Sequence, residues 1–218
     1  FNESVKLIKN IVTKKKFGNV IHISSYYGNY LPDWRPWQNY RESYTAKKKL
    51  GGGIILDASH ELDYLIWIFG NPLTINSEYQ KVKFLDTDTE AVADIQLKFP
   101  NNVLANIHVN YVRRTKKRVM EIMWEQGIIQ WLPMESKLLT FSAKTNKWNT
   151  QKIESESSNV MYVDEIKHVI NCITKKSHSQ IIDLSDGIIA MEISQLALKS
   201  GKLGKRIEIK KALKHKCK

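Results

Sequence analysis

Six short runs with strand character crowd into the stretch between Leu73 and Ser142, and their spacing limits what this chain can fold into. The runs are Leu73–Phe84, Glu90–Phe99, Val103–Tyr111, Arg118–Trp124, Gly127–Leu132 and Lys137–Ser142. Asp86–Thr89, Pro100–Asn102, Glu125–Gly127 and Pro133–Glu135 separate them with residues that favour turns. A crossover between parallel neighbours needs a dozen or more residues, and these connections are shorter. An antiparallel meander follows, with one face buried on helices and the other left for solvent or a partner. Val103–Tyr111 shows the alternation, placing Asn106, His108 and Asn110 on one side. His108, alone on its strand, reads as structural or interfacial. Val20–Tyr30 adds an earlier strand and Lys205–Lys210 a short late one.

Helical patterns flank this region. Phe1–Lys16 carries Val5, Ile8, Ile11 and Val12 on one face, and Val160–Thr174 and Leu184–Ser200 are also amphipathic. Ser185 or Asp186 is positioned to cap the last of these, and Gly201 to end it. The polar stretch Trp148–Asn159 reads as a loop. The fold class is therefore α+β: an open, mainly antiparallel sheet with helices on one face. No repeat or linker interrupts the 218 residues, so 1–218 reads as one domain, with a flexible basic tail at about 210–218.

The stretch Leu50–Pro72 carries the candidate chemistry. Gly51, Gly52 and Gly53 precede a helix of about four turns, which Gly70 and Pro72 end. A 3.6-residue period puts Ile55, Ala58, Leu62, Leu65, Ile66 and Phe69 on a core stripe. Asp57, His60, Glu61 and Tyr64 fall together on a neighbouring polar face. A carboxylate and an imidazole one turn apart can act as a base with its orienting partner. The same spacing equally fits a surface histidine beside an aspartate that favours a helix start. Upstream, Tyr26, Tyr27, Tyr30, Trp34, Trp37, Tyr40 and Tyr44 are interleaved with Arg35 and Arg41. Pro32 and Pro36 make this segment a loop. It can line a site for a polar ring-shaped ligand, or simply be pinned by buried tryptophans.

Composition narrows the function classes. The formal net charge is +12, but only six of the 34 cationic residues are arginine, and five lysines lie in the last nine residues. Base readout favours the arginine fork, so a lysine-biased surface is expected and nucleic acid is not the expected partner. No apolar run reaches the 18 or more residues of a membrane span, and no signal-peptide pattern opens the chain. Cys172 and Cys217 form neither a metal cluster nor a disulfide framework, which suits a reducing, cytoplasmic setting. The sequence contains no G-x-G-x-x-G after a strand, no P-loop, no nucleophile elbow and no zinc-binding His-Glu-x-x-His. His60-Glu61-Leu62-Asp63 has no second ligand cluster to support it, so no metal is expected. The chain opens at Phe1 without Met and without a start signal, so a preceding segment is expected.

Several of these stretches together resemble the Gfo/Idh/MocA family of nicotinamide-dependent sugar oxidoreductases. Gly51–Gly70 looks like that family's Gly-Gly-Gly…Asp…His…Asp…Trp-Leu-Gly signature. Lys16–Val20, Tyr30–Pro36, Asn110–Arg114 before Glu125–Gly127, and Asp186-Gly187 with Gly204–Ile207 add matches in the same order. The resemblance implies the second half of a two-domain enzyme, inactive alone. The preceding Rossmann domain would bind NAD or NADP and carry a Glu-Lys-Pro motif with a catalytic lysine. It implies a sugar substrate and a homo-dimer or higher oligomer through the open sheet face. It also implies that Asp57 and His60 face the substrate. His60 would take a hydroxyl proton while hydride passes to the nicotinamide, and Asp57 would orient the imidazole or bind a sugar hydroxyl. Many members place the histidine four residues after the aspartate, and here the interval is three, so the transfer rests first on His60. Tyr30, Arg35, Tyr40 and Arg41 are the candidates for sugar or carboxylate contacts. The alternative is a binding or scaffold module that keeps the fold and has lost the chemistry.

Overall fold

The computed structural model describes residues 2–153, 159–177 and 183–209. The basic tail expected at 210–218, Cys217 and residues 154–158 of the polar loop lie outside the described residues. In chain order come α1 (Glu3–Thr13), β1 (Val20–Gly28), α2 (Ile54–Asp57), α3 (Ser59–Phe69), β2 (Thr74–Gln80), β3 (Val92–Lys98), β4 (Leu104–Asn110) and β5 (Lys117–Trp124). There follow β6 (Gly127–Leu132), β7 (Lys137–Ser142), β8 (Lys147–Lys152), α4 (Val160–Thr174), α5 (Leu184–Leu203) and β9 (Ile207–Glu208). Four short 3-10 turns punctuate the aromatic loop between β1 and α2.

Among the described residues nine strands form one sheet in the order β8-β7-β6-β5-β1-β4-β3-β2-β9. The pairings are antiparallel apart from β1 with β4, which run parallel, with Ser24 beside Asn106 and Tyr26 beside His108. Strand side chains alternate between faces. Ile23, Tyr27, Ile95, Ile107, Ile122 and Ile129 therefore share the inner face, where they join Ile8, Ile54, Leu62, Leu65 and Ile193 from the helices in one core. Each fully buried Ile or Leu contributes about 1.5–3 kcal/mol relative to exposure. The α+β arrangement with helices over one face is thus the observed one. The other face carries the polar alternates Ser24, Asp94, Gln96, Asn106 and half-buried His108, around a shallow hollow of about 340 Å³.

Local chemistry explains where the elements begin and end. Asn2 caps α1 by accepting from the Val5 amide at 3.1 Å. Asp183, not Ser185 or Asp186, is the N-cap of α5. Its carboxylate accepts from the Ser185 and Asp186 amides, and the Asp186 side chain reaches back to the Asp183 amide at 2.8 Å, a capping box. This helix runs past Gly201 and ends at Gly204, whose left-handed φ of 59° suits glycine. Residues 148–152, expected in a loop, belong to edge strand β8 against β7. Asn110 is buried, not displayed with Asn106 and His108. Its amide donates to the Tyr26 hydroxyl at 3.0 Å, and its Oδ1 accepts from the Val112 and Arg113 amides. Helix α4 has no buried residue, and its apolar stripe is exposed.

Candidate active site

The expected single helix over Ile54–Phe69 is two helices. Ala58, at φ −97° and ψ 20°, leaves the helical region and separates α2 from α3. The glycines before it are packed against protein. A Cβ on Gly52 would lie 2.2 Å from the Tyr44 carbonyl oxygen. One on Gly53, where φ is +119°, would lie 2.3 Å from Glu90 Oε1. Glu90 accepts from the Ile55 amide at 3.1 Å and so occupies the start of α2 with its own carboxylate. Burial raises the Glu90 carboxyl, the bonds from backbone amides oppose that, and nearby Asp57 raises it further.

Asp57 and His60 are joined by a chain of side-chain contacts. The Tyr111 hydroxyl, on a fully buried ring, donates to Asp57 Oδ2 at 2.6 Å. Tyr111 meets Trp34 edge-on at 5.3 Å between ring centroids, Trp34 meets Tyr27 at 6.4 Å, and Tyr27 meets His60 at 5.2 Å. Burial raises the Asp57 carboxyl above its ordinary value, and the Tyr111 hydroxyl, Arg35 and His60 pull it part-way back. Burial and the adjacent Asp57 charge push the Tyr111 phenol upward, so it stays a hydrogen-bond donor.

Below His60 lies a second polar layer. Glu61 and Tyr64, expected on an outer polar face, are both buried. Glu61 Oε2 accepts from the Ser25 hydroxyl at 2.7 Å and from the Tyr64 hydroxyl at 2.5 Å. Its Oε1 is approached by Arg118 Nε at 2.7 Å and by His60 Nε2 at 3.3 Å. Both approaches lie off the ideal hydrogen-bond line, leaving Oε1 with lone-pair capacity toward the imidazole. Burial alone would raise the Glu61 carboxyl, but Arg118, His60 and Tyr64 outweigh it and hold it at about 2.

The loop candidates separate. Arg35 is half-buried and close enough to act on Asp57, with its guanidinium 5.5 Å from the Tyr44 ring centre. Tyr30 is half-buried beneath the Arg114 guanidinium, 3.7 Å from its ring centre, and the next residue's amide donates to the Tyr111 carbonyl at 3.0 Å. Tyr40 and Arg41 instead engage the loop around Asp86. The Tyr40 hydroxyl accepts from the Asp86 amide at 3.4 Å, and Arg41 Nε pairs with Asp86 Oδ2 at 3.1 Å. The sequence reading passed over Tyr111, Glu61, Arg118 and Glu90. For Glu61 a signal existed, its place one turn before Leu65 of the core stripe. The others lie far along the chain, Glu90 just before β3, Tyr111 just after β4 and Arg118 on β5. Among the described residues no three His, Cys, Asp or Glu side chains gather into a group that could hold a metal ion.

A family model, the GFO/IDH/MocA C-terminal domain, matches residues 5–130, more than half of the chain. The chain belongs to that family. No curated protein sequence matches this Gfo/Idh/MocA domain. Among solved structures it is similar to an aldose–aldose oxidoreductase from Caulobacter crescentus complexed with glycerol, at 16% identity and a TM-score of 0.80, over 95% of this chain and 61% of that one. An oxidoreductase from Agrobacterium radiobacter in complex with NAD+, L-tartaric acid and magnesium matches at 17% identity and 0.77, over 97% and 63%. A levoglucosan dehydrogenase in complex with NADH and levoglucosan matches at 15% and 0.78, over 93% and 62%. At these identities the likeness is one of fold. The domain spans less than two thirds of each of those chains.

The glycine turn before α2 does not fit the pyrophosphate of a dinucleotide. That group needs open backbone amides at a glycine turn and helix start. In this Gfo/Idh/MocA domain Gly52 and Gly53 are filled from behind by a backbone carbonyl and a carboxylate, and Glu90 places negative charge where the phosphates would sit. Among the described residues no helix is long and apolar enough to cross a membrane.

Proposed function

We propose that this chain is the substrate-binding domain of a nicotinamide-dependent oxidoreductase acting on a CH–OH group of a sugar or sugar derivative, with NAD or NADP bound by a domain outside these 218 residues. The reading is carried by one observation. In a domain of this family, Asp57 and His60 stand on either side of a helix break and are tied together through Tyr27, Trp34 and Tyr111. The chain's own part is to bind, orient and move a proton. His60, half-exposed at 43% of its side chain, accepts the substrate hydroxyl proton or returns it in the reverse direction. Asp57 takes a neighbouring hydroxyl, and Arg35 supplies positive charge beside it. Half-buried Trp34, packed from behind by the buried Tyr27 and Tyr111, gives the site its aromatic surface, which a sugar's C–H faces favour.

Residues 1–218 act as one unit, and the open sheet face, where Leu104 and Met123 are exposed among the polar alternates, is the surface we assign to a second copy of the chain. Tyr30 remains a candidate contact through its place beside Tyr111, while Tyr40 and Arg41 are assigned to holding the 85–88 loop. The test is turnover of sugars with NAD or NADP. The 218-residue chain alone is expected to be inactive, and the protein bearing its dinucleotide domain is expected to lose at least 100-fold in kcat on His60→Ala, the usual weight of a general acid–base. Unchanged turnover in that variant would replace the catalytic reading with a scaffold.

A further inference from the structure

We propose that the buried Glu61–Arg118 pair is a positioning unit for His60: the carboxylate holds the neutral imidazole as its Nε2–H tautomer and leaves Nδ1 as the atom that accepts the substrate proton. The proton-accepting role rests on the function proposed above, while the tautomer rests on the charged Glu61 oxygen that faces Nε2 beside Arg118. Glu61 follows His60 directly, yet its side chain turns inward and is 1% exposed, whereas the imidazole is 43% exposed. The carboxylate therefore faces the imidazole from the protein side, 3.3 Å from Nε2.

An ionised carboxylate only accepts hydrogen bonds. Oε2 is already engaged by the Ser25 and Tyr64 hydroxyls. These hydroxyls lie 2.8 Å from each other and carry one proton each, so of the three contacts one has no proton in it. Arg118, 12% exposed, approaches Oε1 from β5 at 2.7 Å. With that cation present the carboxyl stays ionised, and Oε1 can meet Nε2 only as an acceptor. A lone pair on Nε2 would face a negative oxygen, and that tautomer is disfavoured.

The other groups around the ring do not reverse this bias. Tyr27 of β1 meets it with an aromatic edge, and Asp57 and Asp63 are the further carboxylates whose charge it feels. A carboxylate that accepts from one ring nitrogen fixes the tautomer and leaves the other nitrogen for the ligand, which here would be Nδ1. Glu61 touches no substrate. It acts through the imidazole.

A long-range ¹H–¹⁵N correlation on the 218-residue chain with ¹⁵N-labelled histidine tests this at about pH 8, above the usual histidine range. His60 is assigned by the signals lost in His60→Asn. The wild type is expected to show His60 as Nε2–H alone. Free imidazole already leans toward that form, so two variants decide the matter. In Glu61→Gln either a neutral amide oxygen, turned to Arg118, or an NH₂ donor faces His60, so in both orientations the Nε2–H excess is expected to fall to the ratio of free histidine or below it. Glu61→Asp keeps the charge for Arg118 but withdraws it from the ring, and relaxes the ratio to that of free histidine even if the glutamine variant fails to fold. A wild type with mostly Nδ1–H, or a folded variant of either kind that keeps the wild-type population, overturns the proposal. Because no cofactor or substrate is present, the expected tautomers together with undiminished turnover in His60→Ala would refute the function and leave the positioning unit intact.

Discussion

Replacing Glu61 by glutamine should change not only the stability of this domain but the pH at which that stability disappears. Glu61 is buried and held at about 2, against an ordinary 4.5, chiefly because Arg118 outweighs the effect of burial. A carboxyl with a depressed folded value stabilises the fold above its unfolded value and loses that contribution as pH falls toward the folded one. At 1.36 kcal/mol per pH unit, the depression is worth about 3 kcal/mol, present above pH ~4.5 and gone near pH ~2. Removing the carboxylate also strands Arg118, 12% exposed, and breaking a buried pair costs about 3–5 kcal/mol. Urea unfolding followed by tryptophan fluorescence should therefore separate wild type from Glu61→Gln by about 3–5 kcal/mol at pH 7. The gap should close by about 3 kcal/mol as pH falls to ~2. Asp57, Asp63 and Glu90 have raised values and drift in the opposite sense, but they are common to both proteins and cancel in the difference. A gap that stays constant between pH 7 and pH 2 would refute an ionised Glu61 as the partner of Arg118.

Three further outcomes are expected. Tyr111→Phe removes a donor to a half-buried carboxylate at 2.6 Å and should lower stability by about 1.5–3 kcal/mol at pH 7. That loss should shrink in acid once Asp57 is protonated, which urea titrations at the two pH values would reveal. Gly53→Ala should destabilise by about 1–3 kcal/mol from its positive φ, with more added as the new Cβ displaces Glu90, seen as a lowered Tm. Arg41→Ala breaks a pair whose side chains are 52% and 80% exposed, so under 1 kcal/mol is expected, with KM unchanged, whereas Arg35→Ala should raise KM for the sugar.

Much of the sheet was legible because local pattern suffices for strands with one apolar face. Gly127–Leu132, Lys137–Ser142 and the helix Val160–Thr174 have the same bounds in sequence pattern and structure. Strand β8 was not legible. All six of its residues are exposed, so no apolar alternation marks it, and its pairing comes entirely from β7. The break at Ala58 left no trace because Ile54–Phe69 keeps helical periodicity across it; the glycine packing and the Glu90 cap that bend the backbone there depend on residues far along the chain. Asp57 and His60 could be singled out as candidates from spacing and resemblance. Their supports could not, since Tyr111 follows β4, Arg118 lies on β5, and Glu61 is polar at a position that only a distant arginine makes tolerable in the core.

The place of β1 has a consequence for how the domain assembles. Strands β2 to β4 and β5 to β8 are two meanders joined by neighbour-to-neighbour pairings, each able to form from contacts short in sequence. Between them lies β1, whose His22 pairs with Leu104 on one side and Met123 on the other, roughly eighty to one hundred residues away. Two quick local halves thus await a strand that is translated before either of them and is expected to be seated last. Ser25 and Tyr27 ride on that strand, so the polar layer under His60 and the aromatic wall beside it come into being in this late step. Pulse-labelled hydrogen exchange should find the β2–β3 and β6–β7 amides protected before those of β1, and the histidine site should be among the last features of the domain to acquire its native form.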